Sequence, residues 1–138
     1  MTTNIEIEGK LKKIKKFKGC LMRDEVSKKM KAGYYIMNMD DSTGDGTHWT
    51  GLYVGRNKAY YFDPFGVVPP ESLKKLKSKS RKVYYNSNQL QDINTDTCGQ
   101  WCMLFVKYMN KNNNDFESFL EFDTFDTIRN EKLLQHNI

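Results

Sequence analysis

Two β-rich runs, 48–54 (HWTGLYV) and 59–63 (AYYFD), stand four residues apart, and this spacing constrains the fold more than any other feature. Gly55, Arg56, Asn57 and Lys58 separate them. A tight hairpin with Gly55 and Arg56 as its two-residue loop follows, because Gly at the first loop position suits a type II′ turn. That register pairs Val54 with Asn57. Counting outward sets His48 directly opposite Asp63, with Cβ atoms about 5 Å apart on one face. Trp49 then pairs with Phe62 on the other face, as core.

The second constraint is the run 99–110, in which Cys102, Phe105 and Met109 form one stripe with Trp101, Leu104 and Tyr108 beside it. The spacing predicts a buried central helix headed by Cys98 and ended at 112–114. Leu11, Ile14 and Phe17 predict a short amphipathic helix over 10–18, which Gly19 ends. Val26 and Met30 predict another over 23–30. Residues 34–39 read as a strand, 40–47 as a Gly-rich loop and 82–85 as a short strand. Pro70 can open a helix with Leu73 and Leu76 inward. The segment 86–97 is polar and loop-like, and 115–134 reads as a last helical region with Phe116, Phe119, Leu120, Ile128 and Leu133.

A chain of 138 residues suits one domain, 1–138, with one modest core. No apolar run approaches the roughly 20 residues that cross a bilayer, and the opening MTTNIEIEGK has no apolar signal core. A soluble, intracellular protein is expected. Three cysteines, Cys20, Cys98 and Cys102, make a sparse odd set that argues against a disulfide scaffold. Without a matching histidine cluster they also give no zinc site. The net charge of +5 is concentrated in two lysine-rich stretches, 10–18 and 74–82. Solvated faces are the simplest reading. The sharper one is contact with a polyanion, with Lys12, Lys13, Lys15, Lys16, Lys74, Lys75 and Lys77 as candidate contacts.

The reactive chemistry begins at Cys98. A thiol attacks as thiolate, and a helix N-terminus favours that form. Gly99 lets backbone approach without a side chain in the way. The base must be His48 or His136, and His136 lies two residues from the end of the sequence, where fraying is expected. Asp63 can orient the imidazole if the hairpin register holds. An oxyanion needs donors: the Cys98 N–H and a side-chain amide from Gln89, Gln91 or Gln100, among which spacing does not choose. Each residue also has a plain structural reading: Cys98 as a buried thiol, His48 as a surface residue, Asp63 as a turn opener, Trp49 as packing. Cys102 and Cys20 read as core.

The stretches GTHWTGLYV (46–54), YYFDPFG (60–66), LQ (90–91) and DTCGQWC (96–102), with FKGCLMRDE (17–25), resemble the adenovirus endopeptidase family of cysteine proteases. That family sits in a wider clan with the SUMO and ubiquitin-like protein proteases. The resemblance implies an α+β fold, a mixed central sheet packed against helices with the nucleophile at the N-terminus of a central helix. It assigns the base to His48, the orienting acid to Asp63, the nucleophile to Cys98 and the oxyanion amide to Gln91. Trp49 and Gly99 would line a narrow substrate cleft. The implied activity is cleavage of peptide bonds in viral structural precursors near glycine-containing sites, in an infected cell or in the virion, with no required cofactor and with stimulation by DNA as a family trait. The chain is shorter than the adenoviral enzymes, so activation by a viral peptide is not carried over. A deubiquitinating or deSUMOylating protease uses the same residues. A non-catalytic basic nucleic-acid-binding virion protein is the remaining alternative.

Overall fold

The computed structural model describes residues 2–40, 42–44, 47–121 and 126–137. At its centre is a five-stranded sheet in chain order: β1 (Phe17–Met22), β2 (Gly33–Asn38), β3 (Trp49–Val54), β4 (Lys58–Phe62) and β5 (Lys82–Tyr85). β1 and β2 pair in parallel, as do β4 and β5, while β3 runs antiparallel to both its neighbours. Four helices accompany the sheet among the described residues: α1 (Asn4–Leu11), α2 (Cys98–Lys111), α3 (Phe116–Phe119) and α4 (Thr127–Asn137). This is the mixed α+β architecture that the sequence resemblance implied. No described helix is long and apolar enough to cross a membrane.

Alternation along β3 sorts its side chains onto two cores. Leu52 and Val54 join Met37, Ala59 and Tyr61 beneath Val26, Leu73 and Leu76. Trp49, with Ile36 and Phe62, packs on the opposite side with Trp101, Phe105 and Met109 of α2. The helix comes close because Gly51 has no side chain. A Cβ there would lie 2.5 Å from Phe105 Cδ2. Phe105 instead stacks on Phe62 with ring centroids 5.4 Å apart.

The β3–β4 turn differs from the expected two-residue loop. Val54 pairs with Ala59 and Gly51 with Phe62, and the four-residue turn closes with the Gly55 N–H donating to Lys58 O at 2.8 Å. Burial decides the register. Val54 and Ala59 are both buried in the same core, whereas the expected pairing would have set Val54 against exposed Asn57. The shift of two positions preserves which face each residue occupies. His48 therefore does not stand directly opposite Asp63, nor Trp49 opposite Phe62. Trp49 and Phe62 remain in one cluster, and the His48 and Asp63 side chains still share a face.

The helix expected over 10–18 is absent. α1 ends at Leu11, its start capped by Thr3, whose hydroxyl accepts the Glu6 N–H at 3.2 Å. Two successive turns follow, with Ile14 N–H on Leu11 O and Phe17 N–H on Ile14 O, both 3.0 Å. Those turns reproduce a spacing of three without a helix, and Phe17 opens β1. Gly19 is not a helix end. It sits at φ +128° beside an irregularity in β1 pairing, where glycine is tolerated. Of the helix expected over 23–30, only a 3-10 turn, Arg23–Glu25, forms. The Pro70 helix is a 3-10 segment, Glu71–Leu76, with Leu73 and Leu76 buried as expected. The 115–134 region divides into α3 and α4, and residues 122–125 lie outside the described residues. α2 ends as the sequence indicated, with Asn113 and Asn114 at positive φ.

Candidate active site

β1, β2, β4 and β5 all finish at the sheet end where β3 begins. His48 immediately precedes β3, Asp63 follows β4, Asn86 follows β5, and Cys98 opens α2. His48 Nε2 lies 2.9 Å from Asp63 Oδ1. The His48 side chain is 19% exposed and that of Asp63 only 2%. The ring also stacks on Phe65, centroids 5.0 Å apart and planes at 19°. Asp63 holds its carboxylate with a local turn: Oδ1 accepts the Phe65 N–H at 2.8 Å, and Asp63 O accepts the Gly66 N–H at 2.8 Å. Turn opener and histidine partner are thus both true of Asp63.

The same imidazole acts on the Cys98 thiol, favouring its thiolate, so one ring stands between the carboxylate and the sulfur. Since Nε2 faces Asp63, Nδ1 is the nitrogen left for Cys98. Burial opposes charge on both groups. On His48 it is outweighed by hydrogen bonds to Asp63 and Cys98 and by their negative charge, which raise its pKa to about 9. On Cys98 it is outweighed by the His48 hydrogen bond, by the Trp49 and Gly99 main-chain N–H groups on the sulfur, and by the imidazolium charge, which together lower its pKa below 9.0. The other thiols go the opposite way. Burial raises Cys20 to about 12 and Cys102 well above its ordinary value. The arrangement can hold a thiolate–imidazolium pair at the head of a helix.

Sequence reasoning missed two supports. Asn86 clasps Asp63 by its main chain: the Asp63 N–H donates to Asn86 Oδ1 at 2.9 Å, and Asn86 Nδ2 donates to Asp63 O at 2.7 Å. Glu131 of α4 accepts three hydrogen bonds, from the Asp92 N–H at 3.0 Å, the Thr97 hydroxyl at 2.6 Å and Trp101 Nε1 at 3.0 Å. It ties the loop before Cys98 to the helix that Cys98 heads. No local pattern marks either residue, because each partner is distant in sequence.

Gln91 is 1% exposed, and its backbone is held near Asp63 by a hydrogen bond from its N–H to Pro64 O at 3.0 Å. Its side-chain Nε2 donates to Thr95 O at 3.1 Å and Thr95 Oγ1 at 3.2 Å, while Oε1 is buried with no hydrogen-bond partner. Gln89 donates to Gln91 O at 2.9 Å, and half-buried Gln100 lies in a small polar recess with Thr2, Glu6 and Asp96. Trp49 is 5% exposed, and its indole N–H donates to Thr2 O at 2.8 Å. A Cβ on Gly99 would meet Thr2 Cβ at 2.8 Å. The chain around Thr2 therefore lies against both residues expected to line a cleft. The His136 side chain lies outside the described residues. Among the described residues, no group of three or more His, Cys, Asp or Glu is placed to hold a metal.

The candidate polyanion contacts fall into separate groups. Lys12, Lys13, Lys15 and Lys16 are exposed in the connection from α1 to β1, at one edge of the sheet. Lys74 pairs with Glu71 at 2.8 Å on the surface near the other edge. Lys75 and Lys77 border a pocket beside the β3–β4 turn.

No family model matches the sequence, and no curated protein matches it. Solved structures match its shape. The chain aligns over 99% of its length with 66% of the ASFV pS273R protease chain, at a TM-score of 0.66 and 17% identity. The chain shares that protein's fold. A selenomethionine form of the same protease aligns at a TM-score of 0.62 with 17% identity, covering 100% of this chain and 68% of that one. AvrA delL154, solved with IP6 and CoA, aligns at 0.53 with 13% identity, covering 91% and 52%. The chain thus spans about two thirds of the length of the first and about half of the last.

Proposed function

We propose that this chain is a cysteine endopeptidase with Cys98 as nucleophile, His48 as base and acid, and Asp63 as the orienting carboxylate. One observation carries the reading: a single imidazole is hydrogen-bonded to a buried carboxylate and lies by a helix-head thiol whose pKa it lowers. The shared fold with a protein described as a protease supports it.

The Cys98 thiolate attacks the scissile carbonyl carbon. The carbonyl electrons move to oxygen, where the Cys98 N–H and the Gln91 amide donate. Collapse expels the amine, which takes the His48 proton. Water, deprotonated by the same imidazole, then releases the acyl group and restores the thiol. To serve, Gln91 must give up its two Nε2 hydrogen bonds to Thr95, whereas its Oε1 has no hydrogen bond to lose. Viral structural precursors cleaved near glycine are the substrates we favour, because the motif pattern resembles the adenovirus endopeptidases. Ubiquitin-like conjugates are the second class, since the same residues would serve both.

The test is labelling with a peptide electrophile, followed by cleavage profiling on a peptide library, a panel of ubiquitin-like conjugates and viral structural precursors. The reading requires Cys98 to label faster than Cys20 and Cys102, and peptide-bond hydrolysis to vanish with Cys98→Ala. Equal labelling of the three thiols would end it. Acyl transfer from an acyl-CoA without peptide hydrolysis would replace it with an acyltransferase.

A further inference from the structure

At the sheet end opposite the candidate active site, four chain segments converge on one pocket. The 26–32 connection brings Lys28, the β3–β4 turn brings Arg56, the end of the 3-10 segment brings Lys75 and Lys77, and the turn before β5 brings Ser78, Ser80 and Arg81. Five cations and two hydroxyl-bearing side chains thus line it, and no carboxylate does. Surface lysines ordinarily spread into water to lessen mutual repulsion. Here they line a concavity around an arginine fixed in place. Half-buried Arg81 donates Nε–H to Gly55 O at 2.9 Å and Nη1–H to Leu76 O at 3.4 Å, both neutral acceptors. Two of its five N–H groups are thereby used, which leaves three, and the positive charge is unneutralised. A planar fork held rigid by carbonyls is preorganised for phosphate oxygens in a way that flexible lysines alone are not.

We propose that this pocket binds a compact, phosphate-dense anion, with Arg81 as the fork and Lys28, Arg56, Lys75 and Lys77 supplying charge around it. The shape argues against a nucleic-acid rail. The other lysine-rich stretch, Lys12–Lys16, lies beyond β1 at the opposite edge, roughly 20 Å away across five strands. The pocket belongs to neither the hydrolytic chemistry nor its supports.

Isothermal titration of the full chain with inorganic tripolyphosphate, at low and physiological salt, tests this. Saturable one-to-one binding is expected, tighter than that of inorganic phosphate. Arg81→Lys, which keeps the charge but loses the fork, and Lys75→Ala with Lys77→Ala should each weaken it at least tenfold. The lysine pair is exposed, so its loss leaves the fold intact, and Cys98 labelling at the wild-type rate verifies that. Lys12→Ala with Lys13→Ala should leave tripolyphosphate binding unchanged. Absence of saturable binding at low salt overturns the site. Equal weakening by the Lys12/Lys13 pair also overturns it, by showing only diffuse charge. Tighter binding of a single-stranded oligonucleotide, weakened through Lys12 and Lys13, replaces it with a nucleic-acid surface. Co-sedimentation with phosphatidylinositol-bisphosphate vesicles, competed by tripolyphosphate, upholds the site and makes the source a headgroup. Tripolyphosphate binding without sedimentation upholds it with a free anion.

Discussion

The three thiols experience different electrostatics, and that difference is measurable. Only Cys98 has an imidazolium and two main-chain N–H groups directed at its sulfur. Iodoacetamide at neutral pH should therefore modify Cys98 first and leave Cys20 and Cys102 intact, as peptide mapping would show. Turnover should rise with pH through the lowered Cys98 pKa, as thiolate forms. It should fall near pH 9, where His48 loses the proton that the leaving amine needs. An alkaline limb absent up to pH 10 would remove His48 as the acid. His48→Ala should cost about 10²–10⁴ in kcat/KM. Asp63→Asn should cost less, and it should move the alkaline limb to lower pH, because the Asp63 hydrogen bond and charge help hold the His48 proton. Gln91→Ala should lower kcat by about 10²–10³ with little change in KM if its amide serves the oxyanion. Cys98 and His48 were legible in the sequence because cysteine and histidine are scarce and these two stand at a helix head and a strand start. Asp63, one of ten aspartates, was singled out by its place after the second hairpin strand and by the family resemblance. Asn86 was not, since an asparagine in a polar loop looks like any other until its partner 23 positions away is known. Glu131 was hidden for the same reason.

At the scale of elements, local spacing was overruled in two places, once by strand pairing and once by burial. Apolar residues three apart over 11–17 can come from a helix or from consecutive turns, and only the pairing of Phe17 with Tyr34 separates the two. The hairpin turn was misplaced because Gly55 satisfied a two-residue loop locally, while Val54 and Ala59 together bury more apolar surface. The central sheet and α2 were legible because their patterns are long and have one solution. Their contact is also where the fold is least forgiving. Gly51→Ala would put a methyl 2.5 Å from the Phe105 ring, in a strand flanked on both sides and under a buried helix. Overpacking of this kind costs about 1–3 kcal/mol, and urea denaturation should show a lower midpoint at unchanged slope. Glu131→Ala should also destabilise, since it leaves the Trp101 indole N–H and the Asp92 N–H without this acceptor. The penalty is about 1–3 kcal/mol for each donor left dry. It should slow Cys98 labelling as well, because the loop it releases leads straight to the nucleophile.

Over the whole molecule, the sheet separates two kinds of chemistry by the length of its strands. β1, β2, β4 and β5 all start at the end that carries Lys12–Lys16, Arg56, Arg81 and Lys82, and they finish at the end that carries His48, Asp63 and Cys98. Five or six residues at about 3.3 Å each put roughly 17–20 Å between the ends. The screening length is about 10 Å at 0.1 M salt, so the lysine-rich end contributes little field at the sulfur in ordinary buffers. The low Cys98 pKa must then come from its own neighbours, which lie within hydrogen-bonding reach and are partly buried, where salt screens weakly. The consequence is a split in salt dependence within one molecule. Between 0.1 and 0.5 M salt, Cys98 alkylation by a neutral electrophile should change by less than about twofold, while anion binding at the lysine-rich end should weaken steeply over the same range. A labelling rate that fell together with anion binding would mean that the distant lysines, rather than His48 and the helix head, hold the thiolate. The local account of the sulfur would then fail.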